Sequence, residues 1–475
     1  MRQSPRAPVG SFGGPVGLRQ PATGRRLAVV GVVIVLTLLV VVALLPPPAS
    51  AAPGDSLWMK TWLPRPDFAK YGGMDLIRGP GGDLWLGAGG STSAMSSPYV
   101  KRICVARYAP SGSRRWAKVL PSPVDMTFFW GLAVDRQRNA IVVGKRNQYD
   151  PARGYPWVIT KLSPTGRPLW TRTLYSPVKS DYSLVRGVAV DSHGGIYAAG
   201  TMARATTGPD IVLIKYSATG AKKWTRFISG YADSADEGVD VAVDASDRVY
   251  VTGTVGGFFS GTDIALARYT TAGNQVWNRV WDGDSSDDAA ADLAVSAAGV
   301  AVAGAQKAAG AAVKGVVIKA TPAMPQGALL EEHVTTLSGK DVMWSSVALN
   351  VTGTIAAGGT VRAAPVTYFA YQRFRPAAPE PVALSAGPSG YACCYDVWLA
   401  PDSALLSTGV WNSSPTSGSS LYDIVVNSDV VAGTDWQNIL VRADMQEGRS
   451  MLAAGSAVYV VGRSGDRVAL WKFAR

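Results

Sequence analysis

Three kinds of side chain in this 475-residue sequence are suited to chemistry: carboxylates set beside aromatic rings, an adjacent cysteine pair and two histidines. The carboxylates and aromatics recur in short groups: Asp125 with Phe128, Phe129 and Trp130; Asp181 with Tyr182; Tyr231 with Asp233, Asp236 and Glu237; Asp282, Asp284, Asp287 and Asp288; Asp341 with Trp344; Tyr391 and Tyr395 around Cys393-Cys394; and Asp444 with Glu447. An aromatic face next to a carboxylate suits sugars or cationic peptides, and several carboxylates together suit calcium. The competing reading is that the acids cap loops and the aromatics seal packing junctions. Among these groups, Trp130, Asp181, Tyr231, Asp236, Asp287, Asp341, Trp344, Cys393, Cys394 and Tyr395 are the candidate binding residues. No catalytic residue can be named. A hydrolase needs two carboxylates facing each other across a cleft, and sequence does not show that.

His193 and His333 stand alone, and no Cys/His cluster has metal-ligand spacing, so a zinc site and a histidine-dependent triad are set aside. Cys393 and Cys394 are adjacent in what reads as a loop of an exported protein, and a vicinal disulfide is expected. Cys104 lies in the alternating run Ile103 to Tyr108 and reads as a buried thiol.

The formal charge is +12, of which five charges are the arginines of residues 1–52, a stretch without acids. The remaining body has no Lys/Arg-rich run of the kind that grips phosphates, so nucleic acid is not an expected partner. Attraction to anionic envelope polymers stays open. Leu27 to Leu45 is an apolar run ended by Pro46-Pro47-Pro48 and followed by Ala49-Ser50-Ala51, a small-x-small cleavage pattern. Residues 1–51 therefore read as a signal peptide, or as an uncleaved anchor with membrane contact only through 27–45. Arg25-Arg26 is a twin arginine, but Leu27-Ala28-Val29 continues that signal poorly. Either way, residues 52–475 are expected outside the cytoplasm.

The elements that must position the candidates are repeated. One copy reads VAVD from Val188, IYAAG to Gly200 and DIVLIKYSATGAKKW from Asp210 to Trp224. The next reads VAVD from Val241, VYVTG to Gly253 and DIALARYTTAGNQVW from Asp263 to Trp277. Period-two alternation separated by turn residues gives four short strands per copy, an antiparallel meander. The glycine ending the second strand recurs at Gly144, Gly200, Gly253, Gly304, Gly358, Gly409 and Gly462, with Ala88 in the first copy. Its intervals are 56, 56, 53, 51, 54, 51 and 53 residues. This predicts an all-β, eight-bladed β-propeller; seven blades is the alternative count, and two sandwiches are the competing architecture.

A second recurrence, glycine plus four to tryptophan, opens the fourth strands at Gly112/Trp116, Gly166/Trp170, Gly220/Trp224 and Gly273/Trp277. The pattern then degrades, with Glu331 in place of the tryptophan, so blades five and six should be the least regular. Gly54/Trp58 repeats it at the other end, which predicts that residues 54–63 supply the outer strand of the last blade. In a propeller the loops from fourth to first strand share one mouth. Asp181, Asp236, Asp287 and Asp341 precede Val188, Val241, Leu293 and Val347 by five to seven residues, which would place them at similar heights as an acidic rim for calcium or a cationic ligand. The alternative is that each ties down its own loop. Asp135, Asp191 and Asp244 fall on the opposite face and read as turn formers.

Over 188–224, 241–277 and 132–170 the unit resembles the secreted bacterial β-propeller repeat (SBBP), a resemblance that loosens over blades five to eight. It implies a propeller outside the cell, usually without known catalysis. The Thr165-Gly166…Trp170 and Thr219-Gly220…Trp224 turns are similar to the tryptophan-docking turns of quinoprotein dehydrogenases, whose quinone sits beside a cysteine pair. Here, however, the pair comes late in the chain and no matching calcium and quinone ligand set is found. The resulting expectation is an exported, monomeric, non-enzymatic binding or scaffold propeller of the cell envelope or extracellular space. Its ligand would be an envelope polymer, a glycan or a protein, and no cofactor is required, although calcium or quinone stays open. The alternatives are a quinoprotein-like oxidoreductase or a polysaccharide-acting enzyme.

Overall fold

In the computed structural model the repeated alternation becomes thirty-two strands, and every sheet is a four-stranded antiparallel meander. The structure describes residues 56–475 except 63–67, 93–100, 121–125, 147–148, 180–182, 232–233, 258–260, 284–286, 326–327, 329, 377, 387–391, 401–402, 413–421, 430–435, 441–445, 455 and 465–466. The expected signal segment 1–51, Asp125, Asp181, Tyr182, Asp233, Asp284, Tyr391 and Asp444 thus lie outside the described residues. Among the described residues, no helix is long and apolar enough to cross a membrane.

Eight sheets are formed. In chain order, blade one spans 68–119, blade two 126–174, blade three 184–228, blade four 237–281, blade five 287–335, blade six 341–386 and blade seven 392–440. Blade eight combines 446–474 with Ser56–Trp62, which pairs antiparallel with Arg467–Ala474 as its outer strand. Each first strand touches the first strand of the next blade, and Gln446–Ala454 of blade eight touches Phe68–Arg78 of blade one. The array is a closed β-propeller with the first strands innermost.

The core is correspondingly divided. Buried apolar residues form eight clusters, one at each blade junction. The junction of blades three and four, for example, packs Tyr197, Ile211 and Leu213 against Val241, Val249 and Val251. Both faces of each sheet are covered by neighbouring sheets, which is why second and third strands such as Val249–Gly256 are buried almost throughout.

Tryptophan and glycine meet across junctions, not within one blade. Trp58, Trp116, Trp170 and Trp224 lie over Gly112, Gly166, Gly220 and Gly273, each glycine belonging to the next blade's turn. The indole N–H groups of Trp116, Trp170 and Trp224 donate to the carbonyls of Pro164, Ala218 and Thr271, at 2.8, 3.1 and 3.2 Å. Gly220 has φ +82°, and a Cβ there would stand 2.8 Å from the Trp170 ring, so both backbone conformation and space require glycine. At the next junction Trp277 is present but its indole N–H has no hydrogen-bond partner among the described residues, and Arg279 donates to Ala328 O and Pro325 O. The outer strands of blades five, six and seven shrink to five, four and five residues.

Two stability outcomes follow. Trp58→Ala should cost roughly 2 kcal/mol or more in urea unfolding, because it uncovers Gly112 and the blade-eight-to-one junction. A wild-type midpoint would contradict closure by this strand. Gly220→Ala should lose about 1–2 kcal/mol from the left-handed backbone alone; an unchanged denaturation midpoint would show that the docking turn tolerates a side chain.

Candidate functional site

Second-to-third-strand loops and fourth-to-first-strand loops open on one mouth, and the first hairpin turns lie at the other. At the first hairpin turns the aspartates are occupied locally. Asp135 accepts from Asn139 N and pairs with Lys161 at 2.8 Å. Asp191 accepts from Gly195 N and the Tyr197 hydroxyl, and Asp244 accepts from Ser246 N and Arg248 N. Ser192, His193 and Asp247 also meet there, but Ser192 Oγ and Asp247 share the same imidazole nitrogen, Nδ1. A relay needs the two on opposite ring nitrogens.

At the mouth, the candidates separate. Asp236 is buried and accepts from Gly230 N (2.7 Å), Gly256 N (2.9 Å) and Ser234 Oγ, tying two loops together. Asp341 accepts from Val313 N at 2.9 Å, and Asp287 is exposed. In register, Asp287 pairs with Lys307 and Asp288 with Gln306, so period-two alternation turns Asp288 inward and Asp287 out. Trp344 is fully buried in the junction of blades five and six, and Tyr231 is exposed.

Cys393 and Cys394 are free thiols, contrary to the expected disulfide. They occupy consecutive positions of the strand Ala392–Leu399, opposite Val410 and Gly409, so their side chains leave by opposite faces. Burial pushes the Cys394 thiol well above its usual value.

Trp130 and Tyr395 sit on β-bulges of the innermost strands, where the pairing register skips a residue. Each ring carries the bulge arginine of the following blade. Arg186 lies 5.1 Å from the Trp130 ring and also pairs with Glu237, and Arg449 lies 4.1 Å from the Tyr395 ring.

Just beyond each bulge, two residues on in blade one and one in the other seven, is a position the sequence reading passed over. It holds Asp75, Gly131, Gly187, Asp240, Asp292, Ser346, Asp396 and Ser450 in the eight blades, opposite Gly87, Val143, Ala199, Thr252, Ala303, Gly358, Thr408 and Val461. The aspartates are half-buried, and three of them span to the next blade. Asp75 accepts from Leu132 N at 3.1 Å, Asp292 from Val347 N at 2.8 Å and Asp396 from Met451 N at 2.8 Å. A Cβ at Gly187 would lie 2.3 Å from Asp240 Oδ1, so that glycine makes the room its neighbour needs. Burial pushes Asp75 and Asp292 up to about 6 and Asp396 to about 7, and raises Asp240 well above the usual range. The signal was present in the sequence as the residue heading each VAVD-type strand, Asp240 and Gly187 among them.

A second missed feature lies in the loop after the second strand of blade two. A cleft of about 390 Å³ lies on the opposite face between Lys215, Lys223 and Trp224, but Lys215 is already paired with Asp191. At the mouth, a pocket of about 380 Å³ is lined by Arg146, Tyr149, Asp150, Pro151, Arg153 and Tyr175. Lys179 lies over the Tyr149 ring, Lys145 over Tyr155 and Arg153 over Tyr175, and the Tyr149 and Tyr155 rings are 5.2 Å apart. Asp150 holds the loop through Ala152 N and Arg153. Two arginines and two tyrosines thus line the pocket with Asp150, and Lys179 lies over one of its rings.

A different chemistry appears at the junction of blades four and five. Asp263, Asp282 and Asp288 each place a carboxylate oxygen within 4.8 Å of the other two. Asp263 begins a third strand and was not among the sequence candidates.

No family model and no curated protein matches the chain. Similar solved structures include polysaccharide lyase Uly1, at 8% identity and TM-score 0.45 over 72% of this chain and 89% of the other. YCF48 bound to D1 peptide matches at 10% identity and TM-score 0.40, over 73% and 91%. The Hadza microbial sialidase Hz136 matches at 11% identity and TM-score 0.42, over 80% and 74%.

The raised carboxyls set a pH dependence. Asp396 is protonated in the folded chain below about pH 7, whereas an unfolded aspartate ionises near 4. Its stabilising contribution is full below pH 4 and is lost as pH rises toward 7, on the order of a few kcal/mol. Asp396→Asn, which keeps an acceptor for Met451 N–H, should flatten the Tm–pH curve between pH 4 and 8. An unchanged slope would rule out Asp396 as its source.

Proposed function

We propose that this chain is an exported, non-enzymatic binding propeller that takes an anionic glycan or envelope polymer at the blade-two mouth. The observation that carries the reading is the pocket of Arg146, Arg153, Tyr149 and Tyr175, with Lys179 over its Tyr149 ring and Arg153 over its Tyr175 ring. Tyrosine faces suit sugar rings, and convergent guanidinium and ammonium groups suit carboxylates or phosphates along a polymer. The net positive body favours such a partner at long range, and the apolar run 27–45 with its cleavage pattern supports export. The inner-ring acids Asp75, Asp292 and Asp396 accept backbone N–H groups of the next blade, which accounts for them structurally. The polysaccharide-acting alternative rests on the raised acids Asp292 and Asp396.

The test is retention of the purified protein on polygalacturonate against neutral dextran, with reducing ends measured in the same samples. Salt-sensitive retention on the acidic polymer alone, cut roughly tenfold by Arg153→Ala/Lys179→Ala, is the expected result. Equal retention on dextran would end the anionic-ligand reading, and release of reducing ends abolished by Asp396→Asn would replace binding with catalysis.

A further inference from the structure

The propeller contains its own control for an unusual charge arrangement. Asp210 opens the third strand of blade three, opposite Met202, and Asp263 holds the same register in blade four, opposite Val255. In blade three the carboxylate is neutralised: Arg204 Nη1 lies 3.1 Å from Asp210 Oδ2, and Thr207 donates to the same oxygen at 2.6 Å. Two residues beyond Val255, where blade three has Arg204, blade four has Gly257. The following loops differ in the same sense. Ser229 comes after the last strand of blade three, and Asp282 after that of blade four. Blade four has thus lost the cation and gained a carboxylate.

Asp263 is 4% exposed, and its Oδ1 has no hydrogen-bond partner. Asp282 and Asp288 each bring a carboxylate oxygen within 4.8 Å of it, and among the described residues it forms no ion pair. The surrounding loop is built around the same centre. Gly283 N donates to Asp288 Oδ2 at 2.6 Å, and Thr262 Oγ1 donates to the Asp288 carbonyl at 2.9 Å. The Gln306 amide nitrogen donates to Gly283 O, while its Oε1 is buried without a partner. A buried carboxylate with no counterion, two more beside it and an orphaned amide oxygen nearby are oxygen donors in want of a hard cation.

We propose that Asp263, Asp282 and Asp288 bind a divalent cation, calcium, which locks blade four to blade five. The cation does for this junction what Arg204 does for blade three. The site is independent of the blade-two pocket.

The full chain is titrated with calcium while Tm is followed, and with terbium while luminescence sensitised by the neighbouring Trp281 is read. Calcium at a hundredfold excess over its dissociation constant should raise Tm by about 3 °C. Terbium luminescence should appear and be quenched by calcium. Asp263→Asn, and separately the exposed Asp282→Asn, should abolish both responses without lowering the metal-free Tm. Gly257→Arg, which restores the blade-three arrangement, should raise the metal-free Tm and remove the calcium response. Asp210→Asn should destabilise the protein yet leave the calcium response intact. The proposal is overturned if the wild-type chain shows neither response, or if Asp282→Asn and Gly257→Arg respond as the wild type does.

Discussion

The contact on which this architecture depends is an indole lying flat on a glycine turn of the next blade. Each such contact joins two sheets that share no strand-to-strand hydrogen bonds. Trp116, Trp170 and Trp224 bury ring area over Gly166, Gly220 and Gly273 and spend their one N–H on that neighbour's turn carbonyl. Arginines two residues further on, Arg172 and Arg226, donate to the carbonyls of Gly220 and Gly273 at 2.6 Å. The turn is thus held by one flat apolar face and two donors. Shape and hydrogen bonding together fix the angle between blades, which apolar burial alone leaves loose.

At the axis a second set of ties does the same work with carboxylates. An aspartate on one innermost strand caps a backbone N–H of the next, from Asp75 to Leu132, Asp292 to Val347 and Asp396 to Met451. These groups are desolvated and lie within reach of one another's charge, so they favour the protonated form, and ionisation of one disfavours ionisation of the others. Glycine at Gly131 and Gly187 and serine at Ser346 and Ser450 occupy the equivalent places. A ring of eight aspartates would concentrate more charge at the axis than burial allows.

The meander, its period and the closing strand were legible because alternation, turn glycines and large anchors are local signals. The docking tryptophans were legible as anchors, and the structure adds that each belongs to the turn of the following blade. The candidate site was less legible. Asp287 and Asp288 differ by one position in a strand, and only the bulge at Ala291 decides which of them is buried. Cys393 and Cys394 read as a loop because the tyrosines around them obscured the alternation that makes them strand residues. The pocket of Arg146, Tyr149 and Tyr175 joins two loops more than twenty residues apart, a distance no motif spans. Asp263 looks like Asp210 in sequence; what distinguishes them is an arginine six residues upstream in one copy and a glycine in the other.

The outer strand of blade eight has a consequence in time. Met59 lies beside Trp471 in the finished sheet, about 400 residues later in the chain. During synthesis the segment 56–62 is made long before its partner strand Arg467–Ala474 and has none until nearly everything else has been made. For that interval it is an unpaired, tryptophan-bearing edge, open to the last blade of any neighbouring molecule at the same stage. An exchange of this strand between two copies would preserve every native contact. High local concentration during folding therefore favours interlocked rings, and dilution favours separate ones.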